Sequence, residues 1–256
     1  MRDKDEAVLA GAAGAYREAL PALPLKDHFL CAWSHQVAPD HCGPMAIVPD
    51  GCVDIVWLAG RLHVAGPDIE VALPEPPPGA GIVGMRFAPG AAARWLGLPM
   101  SELVGRQVAL TDLWGGRARD LTNRVGDAET VERRLTALQS GLATLAPAIE
   151  APARDMAFVF DRLSRGPASL EALRDRLDIS ERTLRRRSRE AFGYGPKTLE
   201  RILRFQRFLR LARQMPETGL ATLGAAAGYS DQAHLGREVR SLSGLTPVAV
   251  LKQLEG

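Results

Sequence analysis

Between residues 26 and 90, short apolar runs alternate with turn signals: Pro49-Asp50-Gly51, Ala59-Gly60 and Gly66-Pro67-Asp68. The runs Cys52–Trp57 and Arg61–Ala65 predict a hairpin, and Gly81–Phe87 predicts a further strand. Four prolines between Pro74 and Gly81 restrict that stretch to a loop. Residues 1–25 read as a short helix ending at Pro21 and Pro24. After Pro89-Gly90 the period changes to helical. Ser101 and Thr111 are expected helix caps, and Asp127 is expected to cap a helix with Val131, Leu135, Leu138 and Leu142 on one face. That stripe is either core or a contact with a second subunit. Beyond Pro147 and Pro152 every segment reads as helix. The pattern predicts an α+β chain: an N-terminal extension over 1–25, a small β domain with helices over 26–146, and an all-α domain over 153–256.

The all-α part repeats itself. Leu170, Leu173, Leu177, Ile179 and Ser180 match Leu220, Leu223, Ala227, Tyr229 and Ser230 at a constant offset of 50. Each copy is a short amphipathic helix, a tight turn and a polar cap opening a second helix, which is a helix-turn-helix unit. Gly228 suits the positive φ such a turn needs, and Asp178 tolerates it in the first copy. The second helix of the first copy sets Arg182, Arg185, Arg186 and Arg189 at i, i+3, i+4 and i+7, one face. The equivalent helix of the second copy offers Gln232, Ala233, His234 and Arg237. Arginine pairs with guanine, glutamine with adenine, and alanine can meet a thymine methyl. Between the copies, Pro196 opens a long helix with an apolar face and arginines at 201, 204, 207 and 210. A stiff helix of that length spaces two reading helices for successive major-groove segments about 34 Å apart.

Charge sharpens this division. The 256 residues sum to +2, yet residues 1–165 hold 16 basic and 20 acidic side chains, and the remainder 16 and 10. Only Lys197 and Lys252 of those last sixteen are lysines. A basic, arginine-rich third points to a polyanionic partner. No apolar run approaches the roughly 18 residues of a membrane span, and three cysteines make no disulfide scaffold. The expectation is a cytoplasmic protein with no membrane association.

Residues 166–250 resemble the AraC/XylS family of bacterial transcription regulators. The resemblance rests on Ala227-Gly-Tyr-Ser-Asp-Gln-Ala-His-Leu235, Arg237-Glu238, Gly244-Leu-Thr-Pro247 and Phe192-Gly-Tyr-Gly-Pro-Lys197. It implies that Arg182, Thr183, Arg185, Arg186 and Arg189, with Gln232, Ala233, His234 and Arg237, face double-stranded DNA. It also implies RNA polymerase as a partner, activation as a mode of action and a homodimer as an assembly. Ser188 departs from the family's usual apolar residue, and Gly236 sits inside the second reading helix. The N-terminal part resembles the short sensor-like domain that precedes this module in many bacterial regulators, through Pro49–Trp57, Ala65–Asp68, Gly84–Gly90 and Leu110–Trp114. That resemblance implies a small cupin-like β domain with a small-molecule effector.

Trp33, Trp57 and Arg86 are the expected effector-pocket residues, since aromatics inside a small β domain line apolar pockets. His28, Cys31, His35, His41 and Cys42 crowd fifteen residues. These are soft-metal ligand types, so a metal- or thiol-sensing regulator is the alternative reading. The cluster's spacing matches no finger motif. No cofactor is expected. No nucleophile elbow, phosphate loop or dinucleotide fingerprint occurs, and no His-x-His pair supports a cupin-type enzyme, the remote alternative. Asp50 and Asp54 beside Cys52 would raise its thiol pKa, which disfavours a catalytic cysteine.

Overall fold

The computed structural model describes residues 7–254. Its strands are β1 (Val8–Leu9), β2 (Gly14–Ala19), β3 (Phe29–Val37), β4 (Met45–Ala46), β5 (Asp54–Leu58), β6 (Arg61–Ala65), β7 (Gly81–Phe87) and β8 (Gln107–Ala109). Six of them form one antiparallel sheet in the order β2-β3-β7-β5-β6-β8, and β1 pairs with β4 in parallel. The β5–β6 hairpin turns at Ala59 and Gly60, both at positive φ.

The N-terminal segment is a correction. Residues 14–19 are not helical but form an edge strand paired with β3 from Gly14↔Val37 to Ala19↔Ala32. Alanine-rich composition favours a helix, but the long β3 edge offers backbone partners that a solitary short helix lacks. Gly14 has a structural reason as well: a Cβ there would lie 2.1 Å from the Gln36 carbonyl oxygen.

Four helices follow: α1 (Ala92–Leu96), α2 (Leu110–Trp114), α3 (Gly116–Gly126) and α4 (Val131–Ala143). They cover one face of the sheet. Ile55, Trp57, Val64, Val83 and Met85 meet Trp95, Leu110, Leu121, Leu138 and Leu142 there. The α4 stripe is therefore core, not a subunit contact. The caps also differ from expectation. Thr130, not Asp127, caps α4 by accepting from Arg133 N–H; Asp127 instead ends α3. Ser101 lies within a 3-10 turn (Met100–Glu102) and Thr111 within α2.

The C-terminal domain comprises α5 (Arg154–Arg165), α6 (Leu170–Leu177), α7 (Glu181–Phe192), α8 (Pro196–Gln214), α9 (Leu220–Ala227), α10 (Gln232–Ser243) and α11 (Pro247–Leu254). Its core of Phe192, Phe205, Phe208, Leu223, Leu235 and Val239 extends across the domain boundary to Ala7, Leu9 and Ala46. The two domains also exchange hydrogen bonds. Gln206 Nε2 donates to the Pro49 carbonyl at 2.7 Å, and Leu9 N–H donates to Gln253 Oε1 at 2.7 Å. No helix among the described residues is long and apolar enough to cross a membrane.

Candidate nucleic-acid interface

Both helix-turn-helix units close as their sequences require. Asp178 takes φ 51° between α6 and α7, and Gly228 takes φ 94° between α9 and α10. Ser180 caps α7, with its Oγ accepting from Thr183 N–H. In the second unit the cap is Asp231, one residue beyond the expected serine; Asp231 Oδ1 accepts from His234 N–H at 2.7 Å.

On α7, Leu184 and Ser188 are buried, while Arg182, Arg185, Arg186 and Arg189 are exposed on the opposite side. Arg185 pairs with Glu181 at 2.6 Å and Arg186 with Glu190 at 3.6 Å, whereas Arg182 and Arg189 have no ion pair among the described residues. Thr183 is half-buried and its Oγ1 lies 3.0 Å from Ser180 Oγ, so its hydroxyl belongs to the cap. Arg187 points elsewhere and ties α7 to α5 through Asp155 at 2.5 Å. Ser188 satisfies its buried hydroxyl by donating to the Tyr194 carbonyl at 2.8 Å, which fixes the turn after α7.

On α10, Gln232, Ala233 and Arg237 are exposed. His234 is drawn back into a local network. Its Nδ1 lies 3.1 Å from Ser230 Oγ, its Nε2 lies 3.4 Å from Glu238, and its ring meets Tyr229 edge-on at 5.2 Å. Gly236 carries no such constraint: a Cβ there meets nothing within 4 Å, and its φ is not positive. Gly236→Ala should therefore raise stability by about 1 kcal/mol, read as a denaturation midpoint shift of a few degrees. No shift, or a loss, would show that the glycine serves a contact instead.

The arginines of α8 are not a solvent-facing row. Arg204 makes a two-pronged pair with Glu238 on α10 at 2.8 and 3.1 Å, beneath Tyr229, and Arg201 donates to Ser241 at 2.6 Å. Arg207 is 5% exposed. It donates to the carbonyls of Leu163 at 2.6 Å, Ala227 at 2.7 Å and Ser164 at 3.4 Å. The linking helix is thus clamped to the second unit and to α5. A three-residue arginine period gave no sign of this, because only the tertiary packing decides which of those side chains turns inward.

The reading face of α7 forms one wall of a cleft of about 1470 Å³. Arg182, Arg185, Arg186 and Arg189 line it; Ala93, Arg94, Leu98, Pro99 and Ser101 of the N-terminal domain form the opposite wall. The end of α7 is packed tightly on that domain: a Cβ on Gly193 would lie 2.6 Å from Val104 and 3.1 Å from the Met100 carbonyl.

The expected effector residues separate. Trp33 and Arg86 share one sheet face, joined by Asp54. Trp33 Nε1 donates to Asp54 Oδ1 at 2.8 Å, and Arg86 pairs with Asp54 at 3.3 Å, Asp50 at 3.1 Å and Glu18 at 3.7 Å. Trp33 lies flat against Gly84, where any Cβ would intrude to 2.3 Å from the indole. Trp57 lies on the other face, in the helix-covered core, with the Arg134 guanidinium 4.4 Å from its ring. The β period allowed this: positions 33 and 57 pair with neighbouring residues of β7, Gly84 and Val83, so they point to opposite sides.

The His/Cys crowding does not converge. No group of three or more His, Cys, Asp or Glu among the described residues could hold a metal ion. His28 packs edge-on to Trp95, and burial lowers the pKa of His28 and of His35. Burial pushes the Cys31 thiol up to about 12 and the Cys52 thiol well above its ordinary value. Both are therefore protonated at neutral pH, the unreactive form. Cys42 is exposed.

Residues 173–253 match a family model described as a helix-turn-helix domain, and residues 17–109 match one described as a domain of unknown function (DUF6597). Residues 173–253 thus belong to a helix-turn-helix domain, a DNA-binding module. That domain is joined to an N-terminal β domain. Among solved structures the chain is similar to ToxT from Vibrio cholerae O395, at 10% identity and TM-score 0.48, covering 88% of this chain and 98% of that one. A ToxT structure bound to an unsaturated fatty acid, from Vibrio cholerae strain SCE256, gives 10% identity, TM-score 0.46, and coverage of 88% and 95%. No curated protein matches the chain.

Proposed function

We propose that this chain reads specific DNA sequences through α7 and α10, and that a small effector on its N-terminal domain governs access to α7. One observation carries the reading. Four arginines stand on the exposed side of a helix-turn-helix second helix, facing a cleft whose other wall is the effector domain. A duplex reaches those arginines only when that wall moves aside, because the major groove of about 12 Å must close around α7. In this reading Arg182, Arg185, Arg186 and Arg189 take base edges and phosphates of one groove segment. Gln232, Ala233 and Arg237 take the next. Thr183 and His234 hold the starts of the two helices. We place the effector on the Trp33–Arg86 side of the sheet, where Arg86 keeps part of its surface open. The DNA-bound chain then meets RNA polymerase, and a second copy occupies a paired half-site. The reading assigns no catalysis, and the scattered His/Cys residues support no metal-sensing role.

Selection of duplexes bound by the full chain from a random pool tests it. The expected result is enrichment of one or two short motifs spaced by about one helical turn. A recovered pool as random as the starting one would reject it.

A further inference from the structure

Beside the reading face lies a second basic feature, which shares Arg185 and Arg189 with that face and adds Arg174 and Lys197 to it. Arg174 of α6, Arg185 and Arg189 of α7, and Lys197 and Thr198 of α8 line a pocket of about 470 Å³, closed by Gly195 and Pro196. Two carboxylates, Glu171 and Glu181, share its rim, and Glu181 is already engaged by Arg185. Four cations against two anions leave the pocket positive. Lys197 and Arg189 have no ion pair among the described residues, and the Arg174 Nε is buried without an acceptor. Among the described residues Arg174 forms an ion pair with its neighbour Asp175 alone, at 3.8 Å.

We infer that this pocket receives a backbone phosphate of the duplex, with Arg174 and Lys197 as positioning residues that set how α7 sits in the groove. The inference rests on the proposed DNA reading. A helix lying in a major groove is flanked by the two phosphate chains, and the first helix of such a unit crosses one of them. Arg174 is on that first helix. Lys197 is at the start of the linking helix, so together they would reach one strand from two elements. An orphaned guanidinium N–H suits a phosphate oxygen, because phosphate accepts from arginine in a forked geometry and from lysine as a point charge. Arg174 and Lys197 lie outside the base-reading face, so their contribution would be the same on any sequence.

The test measures affinity of the full chain for its selected duplex and for a shuffled duplex, across salt concentrations. The variants are Arg174→Gln, Lys197→Gln and, as a control, Arg61→Gln on the exposed β5–β6 hairpin. Arg174→Gln and Lys197→Gln should each weaken both duplexes by the same factor and lower the log–log salt slope by about 1. Arg61→Gln should change neither. Lys197 is exposed, so its variant keeps the fold even if Arg174→Gln does not. Unchanged slopes in a protein that still prefers its selected duplex would overturn this inference alone. So would a loss confined to the selected duplex, or an equal loss in the Arg61 control. A wild-type chain with no preference between the two duplexes would instead remove the DNA reading beneath it.

Discussion

Arg185→Ala should weaken binding to the selected duplex by about 1–3 kcal/mol, roughly 5- to 150-fold, and relax the preference at a single base pair. Replacing Arg182, Arg185, Arg186 and Arg189 together should leave no sequence preference in the first half-site and flatten the salt response. The folded protein should hardly notice. All four are exposed, and the pairs Arg185–Glu181 and Arg186–Glu190 are solvent-facing, a class contributing about 0–1 kcal/mol. Removing them also relieves repulsion among like charges set three and four residues apart. The same weakness explains how the face can change partners. Guanine or phosphate need only displace a carboxylate that water already screens. Titration at several salt concentrations, with thermal denaturation alongside, separates the two effects. Intact affinity in the fourfold variant would mean that α7 is not the reading helix.

The opposite wall of the cleft adds a consequence. Residues 97–101 and α1 stand across the cleft from the arginines, so in the proposed reading a duplex and the docked N-terminal domain compete for one space. The docking is not slight. It shares a core through Leu9 and Ala46 and adds the Gln206–Pro49 and Leu9–Gln253 hydrogen bonds. An effector gains leverage only by binding the open arrangement better than the closed one.

The helix-turn-helix pair was legible in the sequence because its signals are local. An apolar period, a residue fit for positive φ and a polar cap each act within a few residues, and Leu173, Asp178, Ser180, Leu223 and Gly228 show all three. The edge strand at 14–19 was not legible, since its conformation comes from β3, over ten residues away. The separation of Trp57 from Trp33 and Arg86 was hidden for a related reason. Tryptophan and arginine types suggest a pocket, but which sheet face each occupies depends on register, and register placed Trp57 in the core. The His/Cys crowding was a proximity of numbers rather than of side chains. The clamp residues Arg204 and Arg207 were hidden among other arginines, because an inward arginine differs from an outward one only in its surroundings.

Arg207→Met should then be the most damaging single change in the C-terminal domain, costing about 3–5 kcal/mol of an expected total of about 5–15. Leu163 and Ser164 lie in the last turn of α5, and Ala227 ends α9. Their carbonyls are orphans of helix termini and face no intrahelical donor. Arg207 supplies those donors and places positive charge at two helix C-termini, where it is favoured. Burial, with Arg210 and Arg204 nearby, pulls its pKa below the ordinary arginine value, yet the guanidinium stays charged. Methionine fills much of the volume but leaves buried acceptors unpaired. Lysine should rescue only in part, because one ammonium cannot reproduce a planar fork spanning both helix ends. Gly228 is part of the same device: a Cβ there would come within 3.3 Å of the Arg207 guanidinium. Urea titration should show a lower midpoint for Arg207→Met at unchanged slope. The amides of α9 should lose hydrogen-exchange protection before those of α4, because Arg207 ties the end of α9 to α8 through the Ala227 carbonyl. A midpoint within about 1 kcal/mol of the wild type would show that packing alone holds α5 and α9 against α8.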